Sequence, residues 1–345
     1  MIVLGIETSC DETAAAVVTS DRLIKSQTLR SQLVEHLPFG GVVPEIAARA
    51  HLESLNEIIT QTMREANLKY SDLDAVAATA GPGLIGGVIV GVMVAKAISA
   101  SHRLPFLAVN HLAAHALTAR LTDDIAFPFL LLLVSGGHCQ LIVVHAANDY
   151  QVLGSTIDDA VGEAFDKTAK MLADIYPGGP YIEAQAAMGN PARFTLPRPL
   201  LHSKESSLQF SFSFSGLKTA VRGLISSLAS RREEDTADIC AAFQAAVGDI
   251  LTDRCSRALK FCTEAHIPIN HLVLAGGVAA NQYLRYRLLE VVQDYDLQLV
   301  APPVPLCTDN AAMVAWGGIE KLRLGQTDGL DFSPRPRWPL ERGMR

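Results

Sequence analysis

Two stretches of the chain, VLGIETSCDETAAAVV and LLLVSGGHCQLIVV, share one pattern that constrains the fold more than any other feature. Each has an apolar β-type run, a short polar turn and a second β-type run, which is typical of a β-hairpin. The first lies at 3–18 and the second at 131–144, so one hairpin opens each half of the chain. The repetition predicts two domains of similar design, although two unrelated buried hairpins would show the same pattern.

Strand and helix signals alternate through both halves of the chain. Short apolar runs bounded by glycine, proline and polar residues indicate strands, and longer runs with a helical period indicate helices. This alternation predicts an α/β fold in which helices cover the sheets. The predicted strands are 73–79, 106–109 and 271–274, and the predicted helices run up to 99, over 111–121, over 235–262 and over 308–324.

Composition limits the setting in which the protein works. The net charge of −7 argues against a surface coated in basic residues, so nucleic acid would have to bind at a local patch or with the help of partners. The six cysteines form no C-x-x-C pair, and the first residues lack a signal-peptide pattern, which predicts reduced thiols in a cytoplasmic protein. The apolar segment 83–100 is predicted to be a buried glycine-rich helix and not a membrane span.

Glycine-rich turns follow several of the predicted strands. They are AGPGLIGG (80–87), VSGGH (134–138), YPGGP (176–180) and LAGGVAAN (274–281). Glycine lets the backbone approach a ligand closely, and the start of a following helix offers N–H groups to a phosphate. Their recurrence predicts a nucleotide or phosphoryl ligand. None of them matches a P-loop or the G-x-G-x-x-G fingerprint, which disfavours a Walker-type ATPase and a Rossmann dehydrogenase.

Acidic residues occur in three places suited to chemistry. The spacing of Asp159, Glu163 and Asp166 would place them on one helix face, and a solvated charged face is the ordinary alternative. The candidates are Glu7, Asp11 and Glu12 in the first hairpin, Asp158, Asp159, Glu163 and Asp166 in TIDDAVGEAFDK, and Asp309 in CTDN.

The motif HLAAH places His111 and His115 one helical turn apart. Histidines at this spacing project in the same direction and can bind one metal ion, but ordinary helix histidines share the spacing. Zinc proteases use H-E-x-x-H with glutamate as the general base, and Leu112 stands at that position here. The protease interpretation therefore has no catalytic base, and a metal site needs a third ligand from elsewhere in the chain.

Taken in order, a set of short motifs resembles one family over residues 2–338: the bacterial form of the universal tRNA adenosine threonylcarbamoyltransferases. The motifs are ETSCDET, GGVVPE, AGPGLIGG, HLAAH, LLVSGGH, DDAVGEAFDKTAK, YPGGP, FSFSGLK, AGGVAAN and CTDN. The resemblance implies a two-domain actin/hexokinase/Hsp70-like α/β fold with a nucleotide cleft between the domains. On this chain the domains would be 1–125 completed by a helix at 308–330, 126–307 with an irregular basic insertion near 189–218, and an extended tail over 331–345.

The resemblance also implies a reaction and its site. The threonylcarbamoyl group would pass from threonylcarbamoyl-AMP to N6 of the adenosine beside the anticodon in tRNAs reading codons that begin with A. One Fe²⁺ per subunit, with Zn²⁺ as the alternative, would be held by His111, His115 and Asp309, a set that leaves positions open for substrate oxygens. The implied nucleotide contacts are Leu133, Val134, Ser135, Gly136, Gly137, Asp166, Gly179, Asn281 and Glu183, the last where many family members have aspartate.

Several roles stay open at this stage. The proton of the adenosine amine could be accepted by Glu12, Asp11 or His138, and Glu12 ranks first because it lies in the first hairpin turn. Basic segments at 193–222 and 335–345 are candidate tRNA contacts. The family works with an inactive paralogue and a small P-loop ATPase, which we expect as partners. The rival functions are an actin-like kinase, a metallopeptidase and a non-catalytic scaffold, and a scaffold would be expected to lack the metal ligands.

Overall fold

The two predicted β-hairpins form the centres of two five-stranded sheets. The computed structural model describes residues 1–228 and 232–340, and its contacts divide the chain into two units. The first unit contains Met1–Asp124, Ala147–Asp149 and the chain from Thr308 to the last described residue. The second contains Ile125–Ala146 and Tyr150–Cys307. The chain passes from the first unit to the second after Asp124, one residue before the predicted end of the first domain at residue 125.

The first unit is a three-layer arrangement of helices on both faces of its sheet. Its strands are β1 (Ile2–Glu7), β2 (Glu12–Thr19), β3 (Ile24–Ser31), β4 (Ala75–Gly81) and β5 (Phe106–Asn110), and its helices are α1 (Leu33–His36), α2 (Pro44–Glu65), α3 (Ile85–His102), α4 (His111–Thr122) and α10 (Ala311–Arg323). Leu4 and Ile6 of β1 pack in one core with α2 and α3. Gly5 lies against α10 on the other face, where an added Cβ would be 2.4 Å from the Ala311 carbonyl oxygen. Because both faces are covered, β1 is a continuous apolar run.

The second unit repeats the strand order of the first. Its strands are β6 (Phe129–Val134), β7 (Cys139–Ala146), β8 (Asp149–Ser155), β9 (His271–Ala275) and β10 (Gln298–Val300), and its helices are α5 (Val161–Ala173), α6 (Gly178–Ala186), α7 (Ser215–Ser227), α8 (Glu233–Glu264) and α9 (Gln282–Gln293). In order of position the sheets run β3-β2-β1-β4-β5 and β8-β7-β6-β9-β10. In each, the first strand pairs antiparallel with the second and parallel with the fourth. The prediction of two domains of similar design is therefore confirmed.

The apolar segment near residue 90 forms α3, which is long and apolar enough to cross a membrane by length and composition alone. One such helix is weak evidence for a membrane, since core helices of soluble proteins pass the same test. Its glycine-bearing side packs against the sheet, as predicted. Its other side differs from the prediction, because Ile85, Ile89 and Met93 are exposed.

The segment between α6 and α7 is largely irregular, as the sequence predicts, apart from a single 3-10 turn at Ser206–Leu208. It is held by the side chain of Arg254, which is almost fully buried and donates hydrogen bonds to the carbonyl oxygens of Ser211 (2.8 Å) and Leu200 (2.6 Å). Buried carbonyl groups need such donors where neither a helix nor a β-sheet supplies a backbone N–H group. Arg254 therefore supplies two of the hydrogen bonds that regular secondary structure would otherwise provide in this segment.

The described part of the C-terminal tail lies on the first unit. Lys96 donates to the Phe332 carbonyl oxygen (2.6 Å), and Asn110 donates to that of Trp338 (2.9 Å). The guanidinium of Arg335 lies 4.9 Å from the ring centre of Phe332 and 5.0 Å from that of Trp338. Arg335 is thus engaged in cation–π contacts within the chain, and residues 341–345 of the predicted basic segment lie outside the described residues.

Candidate functional site

His111 and His115 lie on the first turns of α4, which begins at His111 because Asn110 caps it. The Asn110 side-chain oxygen accepts the N–H groups of Leu112 (2.9 Å) and Ala113 (3.2 Å). Asparagine is a favoured cap because its side chain satisfies N–H groups that have no partner within the helix. Since the two histidines are one turn apart, their side chains project from the same helix face.

Asp309 lies two residues before the start of α10 at Ala311. The next residue, Asn310, caps that helix through a 3.0 Å bond from the Met313 N–H. The Oδ1 atom of Asp309 lies 3.0 Å from Nε2 of His115 and 3.5 Å from Nε2 of His111. The ligand atoms of all three residues lie within 4.8 Å of one another. The structure therefore brings together the three residues that the resemblance named.

Glu7 orients His111 from the other side of the ring. Its carboxylate is fully buried, and Oε2 lies 3.1 Å from Nδ1 of His111. The same carboxylate accepts the N–H of Ser9 (2.6 Å) and the hydroxyl of Thr79. A histidine that binds metal commonly has its second ring nitrogen held by a carboxylate. Glu7 is one of the candidate acids of the first hairpin, but nothing in the sequence around Glu7, Ser9 or Thr79 indicates these roles.

The charges of this group reinforce one another. Burial alone would lower the pKa of His111, but the carboxylates of Asp309 and Glu7 outweigh it and raise that pKa well above 6.5. Burial alone would raise the pKa of Asp309, but the two histidines outweigh it and lower that pKa. Two imidazoles and one carboxylate with a buried carboxylate behind them suit a divalent metal such as Fe²⁺ or Zn²⁺. Nδ1 of His115 is buried without a partner among the described atoms.

Asp11 lies in the turn between β1 and β2, next to this group. Glu12 was predicted to lie in that turn, but it is the first residue of β2 and closes the turn. The Ser9 hydroxyl in the same turn lies 3.2 Å from Nδ1 of His111. Burial raises the pKa of Glu12 to about 10, and the negative charges of Asp309 and Asp11 add to the effect. A carboxyl group with so high a pKa is a proton donor at neutral pH and becomes an acceptor only when nearby positive charge stabilises its anion.

The glycines of AGPGLIGG allow the start of α3 to approach the same turn. The Leu84 N–H donates to the Ser9 carbonyl oxygen (2.7 Å). A Cβ at Gly87 would lie 2.3 Å from the carbonyl oxygen of Thr8, which is closer than any side chain tolerates. The binding of a ligand by this glycine-rich turn stays a prediction. Its glycines are also explained by packing within the first unit, because side chains there would clash with the turn.

In the second unit, two glycine-rich turns meet at one edge of the sheet. They follow β6 and β9, which are parallel neighbours with Leu133 opposite Ala275. Leu133 and Val134 are buried strand residues. Gly276 has a φ of +92°, and a Cβ there would lie 2.3 Å from the Val134 carbonyl oxygen. Ligands of α/β proteins commonly bind at the carboxyl ends of parallel strands.

The turn Ser135–His138 is closed at its base and open at its tip. Ser135 donates its N–H to the His138 carbonyl oxygen (2.8 Å), and its hydroxyl accepts the His138 N–H (3.1 Å). Gly136 and Gly137 are exposed, with no atom within 4 Å of an added Cβ. The exposed tip is an arrangement that can present N–H groups to a phosphate.

Three other residues that were predicted to contact the nucleotide accept hydrogen bonds from N–H groups at the starts of helices in the second unit. Asp166 accepts the Gly178 N–H (2.6 Å) at the start of α6, and the adjacent Gly179 is open. Glu183 accepts the Gln282 N–H (2.6 Å) at the start of α9. Asn281 accepts the Leu284 N–H (2.9 Å) and donates to Gln244 (2.8 Å). Their nucleotide contacts stay predictions, and the structure adds capping roles that the sequence analysis missed.

One prediction about the acidic residues near α5 is wrong. Asp159 does not share a helix face with Glu163 and Asp166, because α5 begins only at Val161. Asp159 instead forms ion pairs with Lys167 (3.3 Å) and Lys218. Helical spacing alone could not reveal that the first member of the series precedes the helix.

Neighbouring Asp158 binds the start of α7. Its carboxylate accepts the hydroxyls of Ser213 and Ser215 (2.7 Å) and the N–H of Phe214 (2.8 Å). Asp158 therefore has a structural role in this unit.

Much of the predicted basic segment at 193–222 is paired within the second unit. Arg193 bridges Asp235 and Asp238, Arg198 pairs with Asp249, and Lys218 pairs with Asp159. Three of the five basic residues there are thus neutralised by carboxylates of the chain. This pairing weakens the case for the segment as a strong tRNA contact.

Solved structures similar to this chain show its fold. They include component A of the (R)-2-hydroxyglutaryl-CoA dehydratase of Acidaminococcus fermentans, with a TM-score of 0.55, 16% identity and coverage of 94% of this chain and 99% of that one. HypF of T. kodakarensis matches with a TM-score of 0.58 and 14% identity over 94% of this chain and 48% of that one. The actin/hexokinase-like fold is therefore confirmed.

Sequence comparisons show the family. The model described as "tRNA N6-adenosine threonylcarbamoyltransferase" matches residues 24–316. Proteins of that name from Paramagnetospirillum magneticum and Brucella anthropi are 58% and 55% identical, over 99% of this chain in each case and 97% and 96% of their own lengths. The kinase and metallopeptidase alternatives are not favoured by these matches. The chain belongs to the tRNA N6-adenosine threonylcarbamoyltransferase family.

Proposed function

We propose that the chain forms threonylcarbamoyladenosine by moving the threonylcarbamoyl group from threonylcarbamoyl-AMP to N6 of the adenosine beside the anticodon. The substrates would be tRNAs that read codons beginning with A, and AMP would be released. The bond broken is a mixed carbamic–phosphoric anhydride with a good leaving group, so no covalent enzyme intermediate is needed. Positioning and charge stabilisation then supply most of the catalysis.

The observation that carries this proposal is the convergence of His111, His115 and Asp309, with Glu7 behind His111. We propose that these three residues hold one Fe²⁺ per subunit, with Zn²⁺ as the alternative. A bound divalent cation would polarise the carbamoyl carbonyl and offset the negative charge of the nearby carboxylates. Glu7 fixes the ring of His111 so that its Nε2 atom stays directed toward Asp309.

Residues of the second unit would hold the nucleotide part of the donor. The open tip at Gly136 and Gly137 supports a role in binding the phosphate. Asp166, which accepts a backbone N–H at the start of α6, would also accept ribose hydroxyls. Leu133 and Val134 would act indirectly, since both side chains are buried in the strand that ends at this turn.

The amine of adenosine is weakly basic and must lose a proton as it attacks the carbonyl carbon. We propose Glu12 as the acceptor, because it is a half-buried carboxyl group near the candidate metal ligands, where a bound cation would stabilise its anion. Asp11 and His138 are the other candidates. General base catalysis by a positioned carboxylate contributes about 10²–10⁴-fold in rate.

The chain would work in the cytoplasm with partners. A net charge of −7 and the internal pairing of basic residues support tRNA binding as part of a complex. We propose an inactive paralogue and a small P-loop ATPase as the other members, since the chain has no Walker motif of its own.

The test is transfer of label from radiolabelled threonylcarbamoyl-AMP to unmodified tRNA, with the accessory proteins present. Wild type should label the tRNA, and His111→Ala should lose both the bound metal and the transfer. His102→Ala is the matched control, because His102 is an exposed histidine at the end of α3. Label retained in His111→Ala would overturn the metal role, and no label with wild type would overturn the transferase function of this chain in that complex.

A further inference from the structure

A line of buried polar side chains in the first unit runs from the start of α2 to the turn beside the candidate metal ligands. Its members are His36, Gln32, Thr13 and His51, each at most 1% exposed. None of them takes part in the mechanism proposed above. Buried polar groups cost free energy unless they are fully hydrogen-bonded, so this line needs a reason.

The hydrogen bonds of the line have one direction. The N–H of Val43 can only donate, so Nδ1 of His36 accepts it (3.3 Å), and the proton of that ring is on Nε2, which donates to Gln32 Oε1 (3.2 Å). At the other end the carbonyl oxygen of Cys10 can only accept, so Nε2 of His51 donates to it (3.0 Å). His36 is therefore a neutral Nε2–H tautomer. His51 is one as well, because its Nδ1 lies 3.1 Å from the amide nitrogen of Gln32, which can only donate.

The middle of the line follows from its two ends. Nδ1 of His51 must accept, and the hydroxyl of Thr13 donates to it at 2.7 Å. The amide nitrogen of Gln32 donates to the oxygen of Thr13 (3.3 Å) and also lies 3.1 Å from Nδ1 of His51. The Gln32 amide nitrogen also donates to the Ala47 carbonyl oxygen (3.4 Å), and apart from that branch the donors of the line point toward Cys10. Hydrogen bonds in such a chain strengthen one another.

The line ends on the turn that carries the acids of the site. Cys10 precedes Asp11 and Glu12, and Ser9 contacts His111. The backbone N–H of Gln32 also donates to the Asp11 carbonyl oxygen (2.9 Å). The line therefore fixes the backbone of the turn at two adjacent residues, one through Cys10 and one through Asp11.

We propose that His51 is a positioning residue for the transfer reaction, and that it holds the turn at Cys10 through the line Val43, His36, Gln32, Thr13, His51. This inference rests on the proposed function, in which Glu12 at the end of that turn accepts a proton. His51 does not touch a reacting atom and acts through the place it gives to the turn. Its neutral imidazole donates a hydrogen bond from Nε2 and accepts one at Nδ1.

Two substitutions at position 51 separate the role of Nε2, which contacts Cys10, from that of Nδ1, which contacts Thr13. Glutamine keeps a donor near the position of Nε2 and loses the acceptor for Thr13, whereas asparagine keeps an acceptor near Nδ1 and loses the donor to Cys10. We expect His51→Asn to lower kcat about 10–100-fold, as misplacement of a catalytic group does. The KM for threonylcarbamoyl-AMP and the metal content should stay unchanged. His51→Gln keeps the donor to Cys10 and loses only the bond to Thr13, so it should lose less of kcat than His51→Asn.

A second pair tests the middle of the line. Thr13→Val removes the hydroxyl at nearly equal volume and should lower kcat by about as much as His51→Gln does, because both lose the bond between Thr13 and His51. Thr13→Ser keeps the hydroxyl and should stay near wild type. The double variant Thr13→Val/His51→Asn should be no slower than His51→Asn alone, because both changes break one line. Glu53→Gln, an exposed change on α2, is the control for the helix.

The outcomes are decisive in each direction. Wild-type kcat in His51→Asn, an equal loss in His51→Asn and His51→Gln, or effects that multiply in the double variant would each overturn the proposal. If His51→Asn does not fold, the Thr13 pair decides by the same criterion. Nitrogen NMR of labelled histidines gives a readout without activity: an Nδ1–H tautomer at His36 or His51 would overturn the direction of the line. If wild type transfers no label while the tautomers are as assigned, the function fails and the line stands.

Discussion

The carboxylate of Glu7 lies 3.1 Å from Nδ1 of His111, whereas Nε2 of the same ring faces Asp309 at 3.5 Å. The two nitrogens of one imidazole are thus assigned to different tasks by their neighbours. Because Glu7 is fully buried and also bound by Ser9 and Thr79, it holds the ring firmly. The geometry of the candidate metal centre therefore depends on a residue that is not itself a ligand.

Glu7→Gln should weaken metal binding about 10–100-fold, as loss of a carboxylate behind a ligating histidine does. The amide keeps the shape of the side chain but loses its charge. Metal affinity is measured by competition with a chromogenic chelator. Glu57→Gln, an exposed change on α2, is the control. Equal affinity in the two variants would contradict an orienting role for Glu7.

Glu12→Gln should lower kcat about 100-fold or more, because the amide cannot accept the proton of the attacking amine. The metal content should be unchanged, which separates this effect from loss of the metal centre. The measurement is the single-turnover rate of tRNA labelling. Asp11→Asn is the comparison and should have the smaller effect. Full turnover of metal-loaded Glu12→Gln would exclude Glu12 as the base.

Gly87→Ala should lower the free energy of unfolding by about 1–3 kcal/mol, since overpacking forces buried backbone to move. The added methyl group would lie 2.3 Å from the carbonyl oxygen of Thr8. Gly223→Ala is the matched control: it lies in α7 with no atom within 4 Å of an added Cβ. That change should stabilise the helix by roughly 0.5–1 kcal/mol. Urea unfolding measures both, and equal effects would contradict the packing argument.

Asp158→Asn should reduce stability at neutral pH but not in acid. Burial alone would raise the pKa of Asp158, but hydrogen bonds from Ser213, Phe214 and Ser215 outweigh it and lower that pKa below 3.8. A group with a lowered pKa in the folded state stabilises the protein above its unfolded pKa of about 3.9. That contribution is lost as the pH falls through the lower folded value.

The measurement for Asp158 is the urea midpoint of wild type and variant between pH 7 and pH 2. The two curves should differ at pH 7 and converge at the acid end. A gap that stays constant over the whole range would show that the carboxylate charge plays no part.

Local pattern was enough to predict several elements of this fold, although not the strand β3 or the long helix α2. The helix predicted over 235–262 is α8 at Glu233–Glu264, and the strand predicted over 271–274 is β9 at His271–Ala275. The helix predicted from residue 308 begins at Ala311, because Asn310 caps it. Such periodic segments carry their structure in neighbouring residues, so the sequence alone identifies them.

Contacts between distant residues were not predictable in this way. HLAAH alone favoured ordinary helix histidines over a metal site, and only the family resemblance supplied Asp309. Nothing near His51 in the sequence indicates Thr13 or Gln32, which reach it through the pairing of β2 with β3. The capping roles of Glu183 and Asn281 likewise depend on which helix starts lie beside them.

The second unit is inserted into the first, between Asp124 and Thr308. During synthesis, His115 therefore leaves the ribosome 194 residues before Asp309. Until then the first sheet also lacks α10, whose Trp316 is fully buried in the finished protein. A nascent chain that ends within the second unit has two of the three candidate metal ligands and an uncovered sheet face. Completion of the candidate metal centre thus requires that the whole second unit has already been synthesised.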